Sequence, residues 1–593
     1  ILKEMTQRDY FGTTDDFAVF INGFNDGQQD FRFYVTAAGV QLDCLSTEGN
    51  DDYSWDAIWD SEVAITEFGW VVEMKIPYAA LRFSNDEKQT WGINFWRDIK
   101  RDRQKYTWNP ISLKVGSLMP QTGQLDGIEN IKPPTRLFFI PYSSYYAESN
   151  QNGTENTFKA GLDIKYGIND SFTLDAILVP DFGQTVYDNV VLNLGPFEQQ
   201  FNENRPFFTE GIDLFTKGNL LYSRRIGGVP STYAYGETDD EVALNPSAIN
   251  IINAIKVSGR TSGGLGIGVL NAVTEKTYAT INNTITGEKR EVLVEPLTNY
   301  NVLVLDQRFN QNSSVSFVNT NVLRAGEFRD ANVSAIVYDL NTKDNKFNLL
   351  GDFKYSFINE YQDYDNRQGI NSSIQVGKRG GVWRYNTGVQ YISDDYDSND
   401  MGILNMNNYH SVYANLSYRI LNPNANFNTF KISTHYYSEF QNTTGRLQRA
   451  TMDIDFSSTT KKNDFIGAAI YIHPFEAYDF YEPRVAERFS VIPRYIYSNI
   501  YFSSNYNRKF AVDVIPELNI TEEKDRIAYG LTVAPRYRFN NKFLINYNFF
   551  INRFNNDRGW VGYTSDDIIF GQRERRTIIN TLGMKYSLNP KMT

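Results

Sequence analysis

Three carboxylates, three guanidiniums and four phenylalanines crowd one short stretch: Glu198, Glu203, Arg205, Glu210, Arg224 and Arg225 with Phe197, Phe201, Phe207 and Phe208. In a pore, such a charged cluster sets ion selectivity. In a folded loop, it forms a salt-bridge network that fixes the chain. The connection at about 185–217 is long and too apolar to extend into solvent, and long ordered loops usually carry function. It is expected to fold inward, with the phenylalanines against a wall and Glu198, Glu203, Arg205 and Glu210 meeting Arg224 and Arg225 on the next strand. Both readings predict a narrowed lumen. Glu198 and Glu210 also nominate themselves as a glycosidase pair, but spacing in sequence sets no distance in space. Gly-x-Ser-x-Gly, zinc and phosphate-loop motifs do not occur, so no catalytic residue is assigned and no cofactor is expected.

A second group of chemically capable residues lies near the start. Trp55 and Trp59 could stack on a pyranose while Asp56 and Asp60 accept its hydroxyls. The competing reading makes both tryptophans core residues, as expected among Trp70, Trp91 and Trp96. Asp15-Asp16 and the 26–30 stretch read as solvated turns rather than a calcium loop. The single cysteine, Cys44, rules out an internal disulfide and reads as a small core side chain. His410, His435 and His473 lack metal-ligand spacing, and no metal site is assigned.

The elements that must hold these groups are strands. From Ile527 to Phe539 one parity reads Ile527, Tyr529, Leu531, Val533, Pro535, Tyr537, Phe539, and the other Ala528, Gly530, Thr532, Ala534, Arg536, Arg538. Alternating side chains of a strand face opposite ways, so one face is apolar and aromatic and the other small, polar and cationic. The pattern recurs at Phe158–Tyr166, Phe347–Phe357, Trp383–Tyr391, Val412–Ile420, Phe543–Ile551 and Ile578–Leu588. These runs are long enough to cross a bilayer at a tilt. A transmembrane antiparallel β-barrel is the expected fold. A mean hydropathy of -0.45 does not oppose it, because only alternate residues face lipid, and the 39 Tyr and 41 Phe suit interfacial girdles.

The first 130 residues differ, with short strands at 17–22, 31–36, 40–44, 63–65, 70–76 and 91–97 that predict a β-sandwich. A proline-rich boundary at 131–135 follows, and the barrel occupies 136–593. About twenty-one strand candidates precede Leu588, predicting about 22–26 strands in a chain trimmed at both ends. Short connections at 168–170 and 540–542 are expected on the periplasmic side, with the long loops outside. The sandwich then hangs in the periplasm or enters the barrel as a plug.

Several motifs carry a family resemblance. Asp181-Phe182-Gly183-Gln184, Asn193-Leu194-Gly195-Pro196-Phe197-Glu198, Arg205-Pro206-Phe207-Phe208-Thr209-Glu210-Gly211 and Tyr222-Ser223-Arg224-Arg225-Ile226-Gly227 resemble a signature of Bacteroidota-type outer-membrane proteins whose barrel is a domain of unknown function, 5916. Trp55-Asp56-Ala57-Ile58-Trp59, Gly69-Trp70, Leu81-Arg82-Phe83 and Trp91-Gly92 resemble the family 9 carbohydrate-binding fold that precedes this barrel. The resemblance implies a Gram-negative outer membrane but names no reaction.

The expected function is a channel, or a scaffold subunit of a larger outer-membrane complex, with a carbohydrate-binding domain. The partners would be outer-membrane lipid, glycan and other outer-membrane or periplasmic subunits. A net charge of -12 without a basic block argues against nucleic acid. The alternative is a soluble carbohydrate-active β-protein, a glycan hydrolase or binding module with a second β domain. A propeller would need a repeated blade motif, and none occurs.

Overall fold

The computed structural model describes residues 1–588 except 26, 28, 48–49, 54, 85, 101–103, 113, 115–117, 120, 132–136, 151–152, 170, 182–190, 210, 237, 262, 311 and 362–364. The chain is all-β. A seven-stranded antiparallel sheet occupies the first part, and a twenty-stranded antiparallel barrel wall occupies the rest.

In the first part, Asp16–Asn22 lies centrally between Gln29–Thr36 and Lys88–Ile99. One face of this sheet packs Phe31, Phe33, Val35, Trp59 and Trp91 under the hairpin Asp60–Thr66 and Gly69–Lys75, which contributes Val63, Val72 and Met74. The other face packs Phe20, Tyr34, Leu42 and Cys44 under Met5 and Phe11 of the N-terminal segment. The sheet is therefore covered on both sides.

This core holds a carboxylate at its edge. Asp16, expected in a solvated turn, instead opens the strand Asp16–Asn22 and is 1% exposed, with Lys100 Nζ at 3.6 Å. Burial pushes its carboxyl up to about 7, with Lys100 pulling back and Asp98 pushing further. Unfolded, the group titrates near 3.8, so the folded state holds the proton more tightly. Its contribution to stability is complete below that value and is lost as pH rises through about 7. Asp16→Asn cannot ionise, so it should melt several degrees above the parent at pH 8, a gain on the order of 4 kcal/mol, and almost with it at pH 3.5. Tryptophan fluorescence reads this domain selectively, since Trp55, Trp59, Trp70, Trp91, Trp96 and Trp108 lie in it and only Trp383 and Trp560 lie in the wall. Equal melting shifts at both pH values would contradict the account.

The wall runs from Leu137–Asn150 to Ile568–Tyr586, each strand beside its sequence neighbour in the wall. Among the described residues the wall has twenty strands, against about twenty-one strand candidates read before Leu588. Asp240–Leu244, Thr277–Asn283 and Lys289–Glu295 form a separate three-stranded sheet in the long connections. Among the described residues, the two end strands pair only with their inner neighbours.

The predicted parity holds in the wall. Tyr529, Leu531 and Tyr537 are exposed on one face, while Arg536 and Arg538 turn to the other, where Arg536 reaches Glu4 and Arg538 donates to the Tyr506 carbonyl. Aromatic rings gather beside the short turns: Trp383 meets Tyr418 at 5.0 Å, Tyr418 meets Phe430 at 6.2 Å, and Phe430 meets Phe456 at 5.5 Å. Phe539 stacks on Phe543 at 4.9 Å along the same rim. Asn310, Asn345 and Asn463 adopt positive φ in these turns, a conformation asparagine tolerates.

The N-terminal domain touches this short-turn rim at separated points. Met5 N–H donates to the Asn541 carbonyl at 2.8 Å, and Ser587 Oγ donates to the Met5 carbonyl at 3.1 Å. Asn507 Nδ2 donates to the Lys100 carbonyl at 2.5 Å. A Cβ on Gly380 would come within 2.6 Å of the Lys114 carbonyl, so the backbones meet there.

Candidate functional site in the barrel bore

The inner wall is not uniformly polar. From Ile251–Arg260 to Asp330–Asn341 its inward side chains include Ala254, Leu270, Ala272, Tyr300, Val302, Val304, Val318, Val333 and Ala335, all buried. The same strands keep Val269, Leu303, Leu305 and Phe317 exposed on the outer face. A strand apolar on both sides must be covered on both. The inner cover is the segment from 206 to 226, whose Phe207, Phe208, Phe215, Leu220 and Ile226 complete one core with the wall.

Local sequence explains the seating. Pro206 opens a one-turn helix, Pro206–Thr209, where its missing N–H costs nothing. Phe207 and Phe208 follow with perpendicular rings 4.9 Å apart. Lys256, 1% exposed on the wall, donates to the Phe207 carbonyl at 2.8 Å and lies 3.7 Å from Asp175. Gly268 leaves room for the loop, since a Cβ there would stand 3.2 Å from the Phe215 ring. Deeper in, Lys217 Nζ lies 3.5 Å from the buried Asp306. Burial and the Asp52 carboxylate push Asp213 up, against the pull of Arg308, Arg82 and Lys217. Asp52 and Arg82 belong to the N-terminal domain, so charges of that domain act on the loop.

The charged residues organise the upper half of the loop. Arg205 forks onto Glu203 at 2.9 and 2.7 Å and donates to the carbonyls of Ile226 at 2.7 Å and Ser223 at 2.8 Å. Its guanidinium also lies 4.4 Å from the centre of the Phe208 ring. Ser223 Oγ donates to Glu203 at 2.6 Å. Burial alone would raise Glu203, but the Arg205 hydrogen bonds and charge outweigh it and hold the carboxyl below its usual range. Arg225 forks onto Glu198 at 2.9 and 2.6 Å. Arg224 donates to the Asn202 carbonyl at 2.6 Å, and Tyr222 and Phe201 exchange two hydrogen bonds. Phe197 packs on Tyr481 at 5.4 Å, near the mouth.

Two expectations need correction. Arg224 and Arg225 do not lie on a wall strand; Ser223–Arg225 is a 3-10 turn of the same loop. Leu220-Leu221-Tyr222 breaks the alternation a strand needs, and Gly227 at φ 75 turns the chain back. The carboxylate–guanidinium pairs thus join residues of one loop, and Arg225 Nε also donates to the Gly402 carbonyl of the 394–408 connection at 3.1 Å. The glycosidase pairing of Glu198 with Glu210 is untouched by this, since Glu210 lies outside the described residues, as do 182–184 of the signature and 132–135 of the boundary.

A further cluster escaped the sequence reading. Arg324 and Arg329 meet Asp400 at 2.9 and 2.7 Å, Arg329 also meets Asp397 at 2.8 Å, and Arg329 and Arg367 share Glu360 at 2.9 and 2.6 Å. It ties the long connections of several strands together. Its members come from residues 324–400, and nothing in local spacing announces them. Over the same mouth, Arg484 donates to the Leu194 carbonyl at 3.0 Å and covers Trp560 at 4.1 Å, while Tyr481 donates to the Asn407 carbonyl at 2.8 Å.

The proposed sugar residues fare differently. Trp59 is 5% exposed with its ring edge-on to Phe33 at 5.3 Å, so it has no face free to stack on a pyranose. Trp55 is half-buried against Phe31 and Phe33 at 5.2 and 5.9 Å. Apolar burial under the hairpin claimed both rings. Asp60 is exposed. Asp56 approaches Asp9 and Asp43 closely enough to suggest a cation site, but Arg8 fills it, at 2.7 Å from Asp56 and 2.8 Å from Asp43.

The family model described as "Domain of unknown function (DUF5916)" matches residues 133–593. The chain belongs to this family. The match covers the wall and the folded-in loop of this DUF5916 chain. Among solved structures it is similar to OccAB4 of Acinetobacter baumannii, at 10% identity over 92% of this chain and 98% of that one, with a TM-score of 0.25. It is also similar to the translocation pore of the P pilus usher (PapC), at 7% identity over 90% and 95%, with a TM-score of 0.23. No curated protein matches it.

Proposed function

We propose that this protein is an outer-membrane barrel conducting small solutes through a bore that its own loop narrows. The observation that carries the reading is the division of the bore. The apolar half of the inner wall is occupied by Phe207, Phe208, Phe215, Leu220 and Ile226, whereas the opposite half presents polar side chains such as Lys354, Asn371, Asn386, Asn415 and the His435–Asp453 pair at 3.1 Å. A packed core on one side leaves only the polar side for water. The outward apolar face and the aromatic rim beside the short turns support placement in an outer membrane, with the N-terminal domain on the periplasmic side at the barrel mouth.

A second reading, a scaffold subunit, is favoured by the way the N-terminal domain bridges separate turns of the rim. The family 9 resemblance supports descent from a sugar module, and the packing of Trp55 and Trp59 supports a structural role for it here.

Planar-bilayer recording of the purified protein tests the choice. A narrow channel gives small, uniform conductance steps. Arg205→Ala leaves Glu203 half-buried without its cationic partner and strips two carbonyls, a loss of about 3 kcal/mol within the loop, so the steps should grow. A silent bilayer with both proteins, each folded by heat-modifiable gel mobility, would contradict conduction and favour the scaffold.

A further inference from the structure

We propose that the outward face of the last hairpin holds a phosphate-bearing lipid, in the leaflet that meets the long loops. The site presupposes the outer-membrane placement of the wall but not conduction. On Phe543–Tyr563 the outward side chains run Phe543, Ile545, Tyr547, Phe549 and Ile551, and the next is Arg553. On Ile568–Tyr586 they run Tyr586, Met584, Leu582, Asn580 and Ile578, and the next is Arg576. Register fixes these faces, since Ile551 pairs with the outward Leu531 and Arg553 with the outward Tyr529.

Arg553 follows Phe543 of the short-turn aromatic rim by ten residues. At about 3.3 Å per residue and a tilt of roughly 40°, that run climbs about 25 Å, the height of the apolar band of such a wall. Arg553 therefore stands at the far boundary of the band, where headgroups begin.

Arg553 and Arg576 are direct cross-strand partners, so with Tyr529 they form one row across three strands. Both arginines are exposed, and neither side chain has an ion-pair or hydrogen-bond partner among the described residues. The other three arginines of this hairpin are engaged. Arg573 and Arg575, on the opposite face, lie 2.7 and 3.6 Å from Asp557, and Arg558 lies 2.9 Å from Glu523. Glu574, next on the outward face beyond Arg576, accepts from the Asn556 N–H at 3.0 Å.

Like charges directly opposite each other destabilise a strand pair unless a counter-charge lies between them. Paired Cα atoms are about 4.5–5.5 Å apart, so both guanidiniums reach one group, and a guanidinium grips phosphate oxygens bidentately. A lipid phosphate supplies the charge at the height of the row, beside the interfacial ring of Tyr529, while its acyl chains continue along Ile551, Ile578 and Leu582. A free anion would use the charges and leave the apolar track empty.

Lipid retention by the full chain in detergent tests the site. The protein is incubated with dioleoyl phosphatidic acid or with dioleoylglycerol, which has the same chains without the phosphate, and lipid carried through size exclusion is quantified by mass spectrometry. The parent should retain phosphatidic acid roughly tenfold more strongly, as charge-assisted hydrogen bonds at an exposed site allow. Arg553→Gln/Arg576→Gln should abolish the preference, while Arg508→Gln beside the short turns leaves it intact. If the double variant fails to fold, judged by heat-modifiable gel mobility, Arg576→Gln on the end strand replaces it, with a several-fold loss expected. No preference in the parent, an unchanged preference in a folded variant, or displacement of the lipid by inorganic phosphate beyond that caused by chloride at equal ionic strength would overturn the site. Release of the chain from membranes without detergent would overturn the placement instead, which separates the two failures.

Discussion

Phe208→Ala should release the folded-in loop while leaving the barrel wall intact. Phe208 is 2% exposed, stands against Phe207, and carries the Arg205 guanidinium on its face. Removing the ring opens a cavity between loop and wall, a loss of about 3–5 kcal/mol. The wall keeps its strand ladder, so the variant should still change gel mobility on boiling. What changes is the loop: protease added to the folded protein should cut between residues 206 and 226, which the parent is expected to protect. A loop that stays protected in a folded Phe208→Ala protein would mean that the aromatic core does not hold it.

The second large effect separates the two faces of one strand. Leu531 is exposed on the outer face of Ile527–Arg538, and Thr532 faces the bore. Leu531→Arg near the strand centre should cost roughly 2–4 kcal/mol at the bilayer midplane and impair assembly. Thr532→Arg should assemble normally, because the bore admits charge at Arg536 and Arg538 of the same strand. Heat-modifiable protein in the membrane fraction measures both. Equal assembly of the two variants would mean that the outer face does not meet lipid.

The alternation of Tyr529, Leu531, Tyr537 against Thr532, Arg536, Arg538 was enough to read the wall, because a strand between lipid and bore must change character every residue. It was less informative where the bore is dry. Val302-Leu303-Val304-Leu305 is apolar on both parities, a local signal of an inner cover that went unread in the sequence. The covering segment was legible from Phe207, Phe208 and their charged neighbours, whereas the partners of Arg224 and Arg225 were not, since a turn and a strand can share the same few residues. The row of Tyr529, Arg553 and Arg576 was invisible in sequence: its members meet through strand pairing, and register depends on the whole sheet. Trp55 and Trp59 illustrate the reverse problem, residues suited to sugar stacking that the apolar core used first.

The central claim is that the loop lies packed against the inner wall, and a cross-link tests it most directly. Gly218, at the deep end of the loop, would carry a Cβ 3.8 Å from that of Ala335 on the wall strand Asp330–Asn341, within disulfide range. Gly218 has φ 71, so a cysteine there costs on the order of 1 kcal/mol, less than the core supplies. The natural Cys44 is buried in the N-terminal sheet and is replaced by alanine for the measurement. Gly218→Cys with Ala335→Cys should form the 218–335 disulfide in protein extracted from membranes, seen by mass spectrometry of non-reduced peptides. Two free thiols in the folded protein, with residue 218 labelled from outside by a membrane-impermeant maleimide, would contradict the packed bore.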